Sequence, residues 1–122
     1  MTIIIAAKEV ISGTASPTAL SQPTTVIDLG AEADEYIIEG YVDLSRMQSG
    51  DRVSLQESLI INGASRVTLT DASFAGVLPE PAIRFHSKTM KRDAKYRVTL
   101  TQWDGTLRDY PYFFIKLRFG VL

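Results

Sequence analysis

"TQWDGTLRDYPYFFIKLRFG", residues 101–120, carries the densest strand signal in the chain. Asp104-Gly105 is a dipeptide favoured in two-residue type I′ hairpins, where both central residues need positive φ. A hairpin closed there pairs Trp103 with Thr106 and sets Tyr96 opposite Phe113. Tyr96, Val98 and Leu100 then share one side of the ribbon with Phe113, Ile115, Leu117 and Phe119. A register slip of one residue would separate these two apolar rows, so their agreement supports the hairpin. In this reading Tyr112, Phe114, Lys116 and Arg118 point away from the core. Core packing leaves those outward aromatics and cations unexplained, and with Trp103 and Tyr41 they form the candidate interface. Pro111 falls opposite Val98 and cannot donate a ladder hydrogen bond, which places it at a sheet edge or a bulge.

The same period-2 alternation runs outward from this segment. In "EYIIEGYVDLS", residues 35–45, Tyr36, Ile38, Val42 and Leu44 share one face and Tyr41 the other. In "DRVSLQESLII", residues 51–61, Val53, Leu55, Leu59 and Ile61 face inward. Glu57 falls on that apolar side, which implies a bulge or a salt-bridged inward carboxylate. Val67 and Leu69 continue the inward pattern, and Ile83 and Phe85 share a face after the Pro79 and Pro81 break. Turn signals at Gly30, Gly50-Asp51, Asn62-Gly63 and Pro79–Pro81 separate the runs. About eight short strands so punctuated predict an all-β fold, a single antiparallel β-sandwich of jelly-roll or Greek-key type. The chain reads as one domain over 1–122: an N-terminal strand at 1–11, a flexible Ser/Thr/Ala/Pro connector at 12–25 and a body at 26–122. The strand "TIIIAAKEVI" pairs either within its own sandwich or with a neighbour's edge.

A chain of 122 residues can bury a core without staples, and with no cysteine it has no disulfide or thiolate chemistry. Net charge is −1, so nothing attracts nucleic acid in general. Charge is uneven, however: residues 1–61 hold nine acidic and three basic side chains, and residues 62–122 hold five and ten. Either a sandwich interleaves the two halves, or the subunit is dipolar and suited to packing on its own copies. No apolar run is long enough to span a membrane, and the N-terminal run lacks the basic start of a signal peptide.

Catalytic signals are sparse. His86 is the only histidine, and no nucleophile elbow accompanies it. Asp28, Glu32, Asp34 and Glu35 lie close in sequence but without calcium-loop spacing, so the expectation is no metal and no cofactor. The basic run "HSKTMKRDAKYR", residues 86–97, lacks any oligonucleotide-binding signature and reads as a loop paired with acidic neighbours. Non-enzymatic binding is therefore expected, with carbohydrate stacking on Trp103, Tyr112 and Tyr41 as the alternative to assembly.

"EGYVDLSRMQSGDRVSLQESLIINGA" followed by "KYRVTLTQWDGTLRDYPYFFIK" resembles a pattern found in small β-rich proteins of tailed-virus and provirus genomes. The likeness covers residues 35–118. It implies a virion structural or decoration component that associates with itself or with other virion proteins, located in the particle or in the infected host's cytoplasm before assembly. The resemblance assigns no functional residue.

Overall fold

In a computed structural model, residues 2–63 and 65–121 are described, so Met1 of the expected first strand, Ala64 and Leu122 lie outside the described residues. Alternating side chains produce eight strands: β1 (Ile3–Ala15), β2 (Thr24–Leu29), β3 (Tyr36–Asp43), β4 (Arg52–Ile60), β5 (Val67–Ala75), β6 (Ala82–Met90), β7 (Lys95–Asp104) and β8 (Tyr110–Val121). They form two four-stranded sheets, ordered β1-β8-β3-β6 and β2-β7-β4-β5. Every ladder is antiparallel. β1 pairs with β8, β2 with β7, β3 with β6 and β4 with β5, a set of nested pairs folded over into two layers. That is the jelly-roll arrangement. Among the described residues there is no helix, and so none long and apolar enough to cross a membrane.

The core lies between the sheets. Tyr36, Ile38 and Val42 of β3 face Val53 and Leu55 of β4 and Tyr96, Val98 and Leu100 of β7, with Leu44 and Met47 closing one end. These inward rows follow the sequence pattern. Glu57 fulfils both expectations made for it. It is buried in β4 against Lys88 of β6 (2.7 Å), accepts a hydrogen bond from the Tyr96 hydroxyl, and sits at a bulge between Glu57 and Ser58.

The hairpin at Asp104-Gly105 does not form. β7 and β8 belong to different sheets, and residues 105–109 carry the chain across the sandwich edge. Gly105 has φ +91°, but Asp104 does not share the positive φ that a type I′ turn requires. Two buried polar side chains hold the crossing instead. Gln102 donates to the carbonyls of Asp104 (3.1 Å) and Thr106, and accepts from the Arg108 amide (3.2 Å) and the Tyr110 hydroxyl (2.8 Å). Asp51 accepts from the Thr106 amide (3.0 Å), the Gln48 amide (2.8 Å) and the Arg108 guanidinium (2.9 Å). Burial alone would raise the Asp51 carboxyl, but these donors together hold it below the usual carboxylate range.

Crossing between sheets reverses the faces expected for β8. Phe114 is fully buried, whereas Phe113 is 42% exposed. Gly40 explains the choice: it pairs with Phe114, and a Cβ there would lie 2.5 Å from the ring's Cγ. The missing side chain of one strand is filled by the ring of the next. Gly13 and Tyr112 repeat this on β1, where a Cβ would meet the Tyr112 hydroxyl at 2.9 Å.

Two further expectations need correction, and one open choice is answered. β1 extends through Ala15 and β2 starts at Thr24, so the connector is shorter than 12–25. β1 pairs with β8 of its own chain, which answers the choice between its own sheet and a neighbour's. Val67 and Leu69 are exposed, because β5 is the edge strand of its sheet and the bulge at Glu57 shifts its ladder.

Candidate docking face

The two outer faces of the sandwich differ in kind. On the β2-β7-β4-β5 sheet, the laddered outward residues are Thr25 with Thr99, Gln56 and Asp71, then Thr101 with Ser54 and Ser73. This is the polar exterior expected where an antiparallel sheet meets water. On the other sheet the outward ladders are mostly apolar. Phe113 of β8 lies between Ser12 of β1 and Tyr41 of β3, and Ile115 lies between Val10 and Glu39. Leu117 lies between Lys8 and Ile37, and Phe119 beside Ile5. Val10 and Ile5 are 56% and 58% exposed. Tyr41 and Phe113 form a tilted aromatic pair with ring centroids 5.3 Å apart.

The face is bounded on one side by β6, where Arg84 ladders with Tyr41. On the other side lies the free edge of β1. That edge is long enough to attract another strand, but Lys8 and Glu9 occupy its middle and a bulge separates Ile5 from Ala7. Charges and bulges are the usual means of blunting a sheet edge. The edge is guarded while the face beside it is not.

Of the six candidate interface residues, only Tyr41 lies on this face. Phe114 is in the core, so its assignment as an outward contact is corrected. Lys116 also turns inward, where its ammonium pairs with Glu32 and with Glu9 (3.3 Å) and lies 5.5 Å from the Tyr36 ring centroid. Burial would lower the Lys116 pKa, but the hydrogen bonds and charges of Glu32 and Glu9 prevail and raise it. Arg118, on the same inward row, pairs with Asp34 (2.9 Å). Tyr112 is half-buried over Gly13. Trp103 sits on the opposite sheet, donating to the Ser54 hydroxyl (2.9 Å) beneath the Arg52 guanidinium. Trp103, Tyr112 and Tyr41 therefore do not make one stacking platform.

The acidic segment is consumed in the same way. Asp28 pairs with Arg97 (3.1 Å), Glu32 with Lys116 and Asp34 with Arg118. Among the described residues no three His, Cys, Asp or Glu side chains gather as a metal site. Every ion pair found joins a residue of the acidic half to one of the basic half, so the charge asymmetry is interleaved by the fold. His86 is exposed at a cleft between β5 and β6, whose lining includes Glu57 and Lys88. Those two charges are already bound to each other.

Sequence reasoning missed Phe113, Ile115, Leu117, Phe119 and Val10 as surface residues. They are more apolar than the row that is buried, and hydrophobicity alone assigns them inward. The available signal was Gly40, a mid-strand glycine that calls for a large cross-strand neighbour on the inner face. No family model matches the chain, and no curated protein matches it in sequence. Fold and surface together define the class: a jelly-roll domain with one polar and one apolar outer face.

Proposed function

We propose that this protein is a non-enzymatic assembly component, a structural or decoration protein of a virus particle, acting through the apolar outer face of the β1-β8-β3-β6 sheet. Jelly rolls serve both capsid and carbohydrate-binding proteins, so the fold alone favours neither. The observation that carries the reading is the outward row of apolar residues on β1, β8 and β3, interrupted by Ser12, Lys8 and Glu39. Monomeric proteins seldom expose apolar patches beyond a few hundred Å². The whole outer face of these strands, Ser12, Lys8 and Glu39 included, projects to roughly 520 Å² for strands of 13, 12 and 8 residues at about 3.3 Å per residue and about 4.8 Å between strands. Two copies joined through it would cover about 1,000 Å², the scale at which specific association begins.

Solution mass measured across a concentration series tests this. The wild-type chain should exceed its 13.5 kDa monomer mass, and Phe113→Asp should return it to monomer with its strand circular-dichroism signal unchanged. Equal masses for the two proteins at every concentration would overturn the assignment of the face.

One feature favours a carbohydrate reading: a shallow groove where Tyr41, Tyr112 and Phe113 meet Asp43 and Ser45. It ranks second because Trp103, the strongest stacking residue, lies on the other sheet and because the apolar surface extends far beyond the groove.

A further inference from the structure

Resting on the docking-face reading, we infer that the occupant of the face is a second copy of this chain, related by a two-fold axis running along β8, with Lys8 of each copy reaching Glu39 of the other. Lys8 and Glu39 are the charges that interrupt the apolar ladders, and they flank β8 from opposite sides. Among the described residues neither has an ion-pair partner, although the inward cations Lys88, Lys116 and Arg118 are all paired.

The possible two-folds treat these charges differently. An axis across the strands lays β1 over β1 and β3 over β3, bringing Lys8 toward Lys8 and Glu39 toward Glu39. An axis along β8 lays β1 over the other copy's β3. Lys8 ladders with Leu117 and Glu39 with Ile115, one same-face step apart, about 6–7 Å along the strand. Packed sheets lie about 10 Å apart, so the lysine stem can rest on Ile37 of the other copy while its ammonium reaches Glu39. The pairing occurs twice by symmetry. The same axis sets Tyr41 over Ser12, large against small, and leaves Arg84 on β6 outside the overlap as a polar rim.

β1 edge pairing is the other route to a two-fold dimer, and the strand's own charges oppose it. Registers of β1 against itself centred on Lys8 or Glu9 place like charges together, which destabilises a strand pair.

Charge reversal and cross-linking test the axis. Lys8→Glu and Glu39→Lys should each weaken dimerisation about tenfold or more, and the double reversal should restore it. The chain has no cysteine, so single cysteines report position without background. Ile115→Cys, near the axis, should cross-link to itself with a short bis-maleimide, whereas Val10→Cys should not. If Phe113→Asp abolishes association while both reversals leave it unchanged and Val10→Cys cross-links to itself, the docking face stands and the axis along β8 is overturned. A wild-type chain that remains a monomer up to millimolar concentration overturns the self-pairing and the self-association reading together.

Discussion

Truncating the adjacent residues Phe113 and Phe114 separates the observed β8 from the β8 that a hairpin would produce. Phe114 is fully buried, with its ring over Gly40 and tilted against Phe85 at 5.6 Å and Tyr112 at 6.3 Å. A buried aromatic removes about 150–250 Å² from water, and at about 25 cal/mol per Å² the lower end is already about 4 kcal/mol. Phe114→Ala also leaves a closed cavity above a glycine that cannot fill it, so a loss of about 3–5 kcal/mol is expected. Phe113 is 42% exposed and its truncation leaves an open notch that water fills. Phe113→Ala should cost about 1–1.5 kcal/mol, mostly from lost contact with Tyr41. Urea unfolding at low micromolar concentration reads both values. With a slope of about 1–3 kcal/mol per M, the two midpoints should differ by roughly 0.5–4 M. Equal losses, or a larger loss at Phe113, would place Phe113 inside and restore the hairpin register.

Replacing Glu57 with Gln should destabilise by about 2–3 kcal/mol, because Lys88, whose side chain is 17% exposed, is left largely desolvated without its counter-charge; pairing it with Lys88→Met should recover part of the loss in the same unfolding assay. Gly105→Ala combines a positive φ of +91° with a Cβ 2.8 Å from Asp51 Cα, and should cost about 2 kcal/mol or more by thermal unfolding. Asp51 has a folded pKa below its unfolded value, so its contribution is present above about pH 4 and is lost as pH falls through the folded pKa; Asp51→Asn should flatten the acid limb of a stability–pH profile. At the alkaline end, burial first and then Glu32 or Asp51 push Tyr36 and Tyr110 up to about 12, and burial with Glu57 raises Tyr96 further. Stability should therefore fall as pH rises above about 10, where unfolded tyrosines ionise, and ultraviolet titration should show these three ionising only with unfolding.

β3, β4 and β7 were legible because each has one apolar and one polar row, and Tyr36, Ile38, Val53, Leu55, Val98 and Leu100 went where alternation sends them. β8 was not, because both of its rows are rich in apolar residues and the decision fell to the turn. Asp104-Gly105 is a strong local hairpin signal, but the chain's nested pairing makes β4–β5 the ladder formed by neighbouring strands. The turn chemistry was overruled by Gln102, which ties residues 104–110 to itself, and by Asp51, whose partners Thr106 and Arg108 lie 55 and 57 positions away along the chain. Such contacts have no local signature.

The candidate site was harder to read for a related reason. An interface strand and a core strand obey the same rule, burying apolar rows, and differ only in which partner covers each row. Lys116 and Arg118 looked like surface groups, yet the β2–β3 connection brings Glu32 and Asp34 to meet them at the open end of the sandwich. Their charges are satisfied within the chain, which removes them as external anchors. Lys8 and Glu39 are ordinary in sequence, yet they are the charges left within the apolar face. Residues that satisfy each other inside the fold cannot act as external anchors. Only after folding do Lys8 and Glu39 stand out, as charges within outward apolar rows that have no ion-pair partner among the described residues.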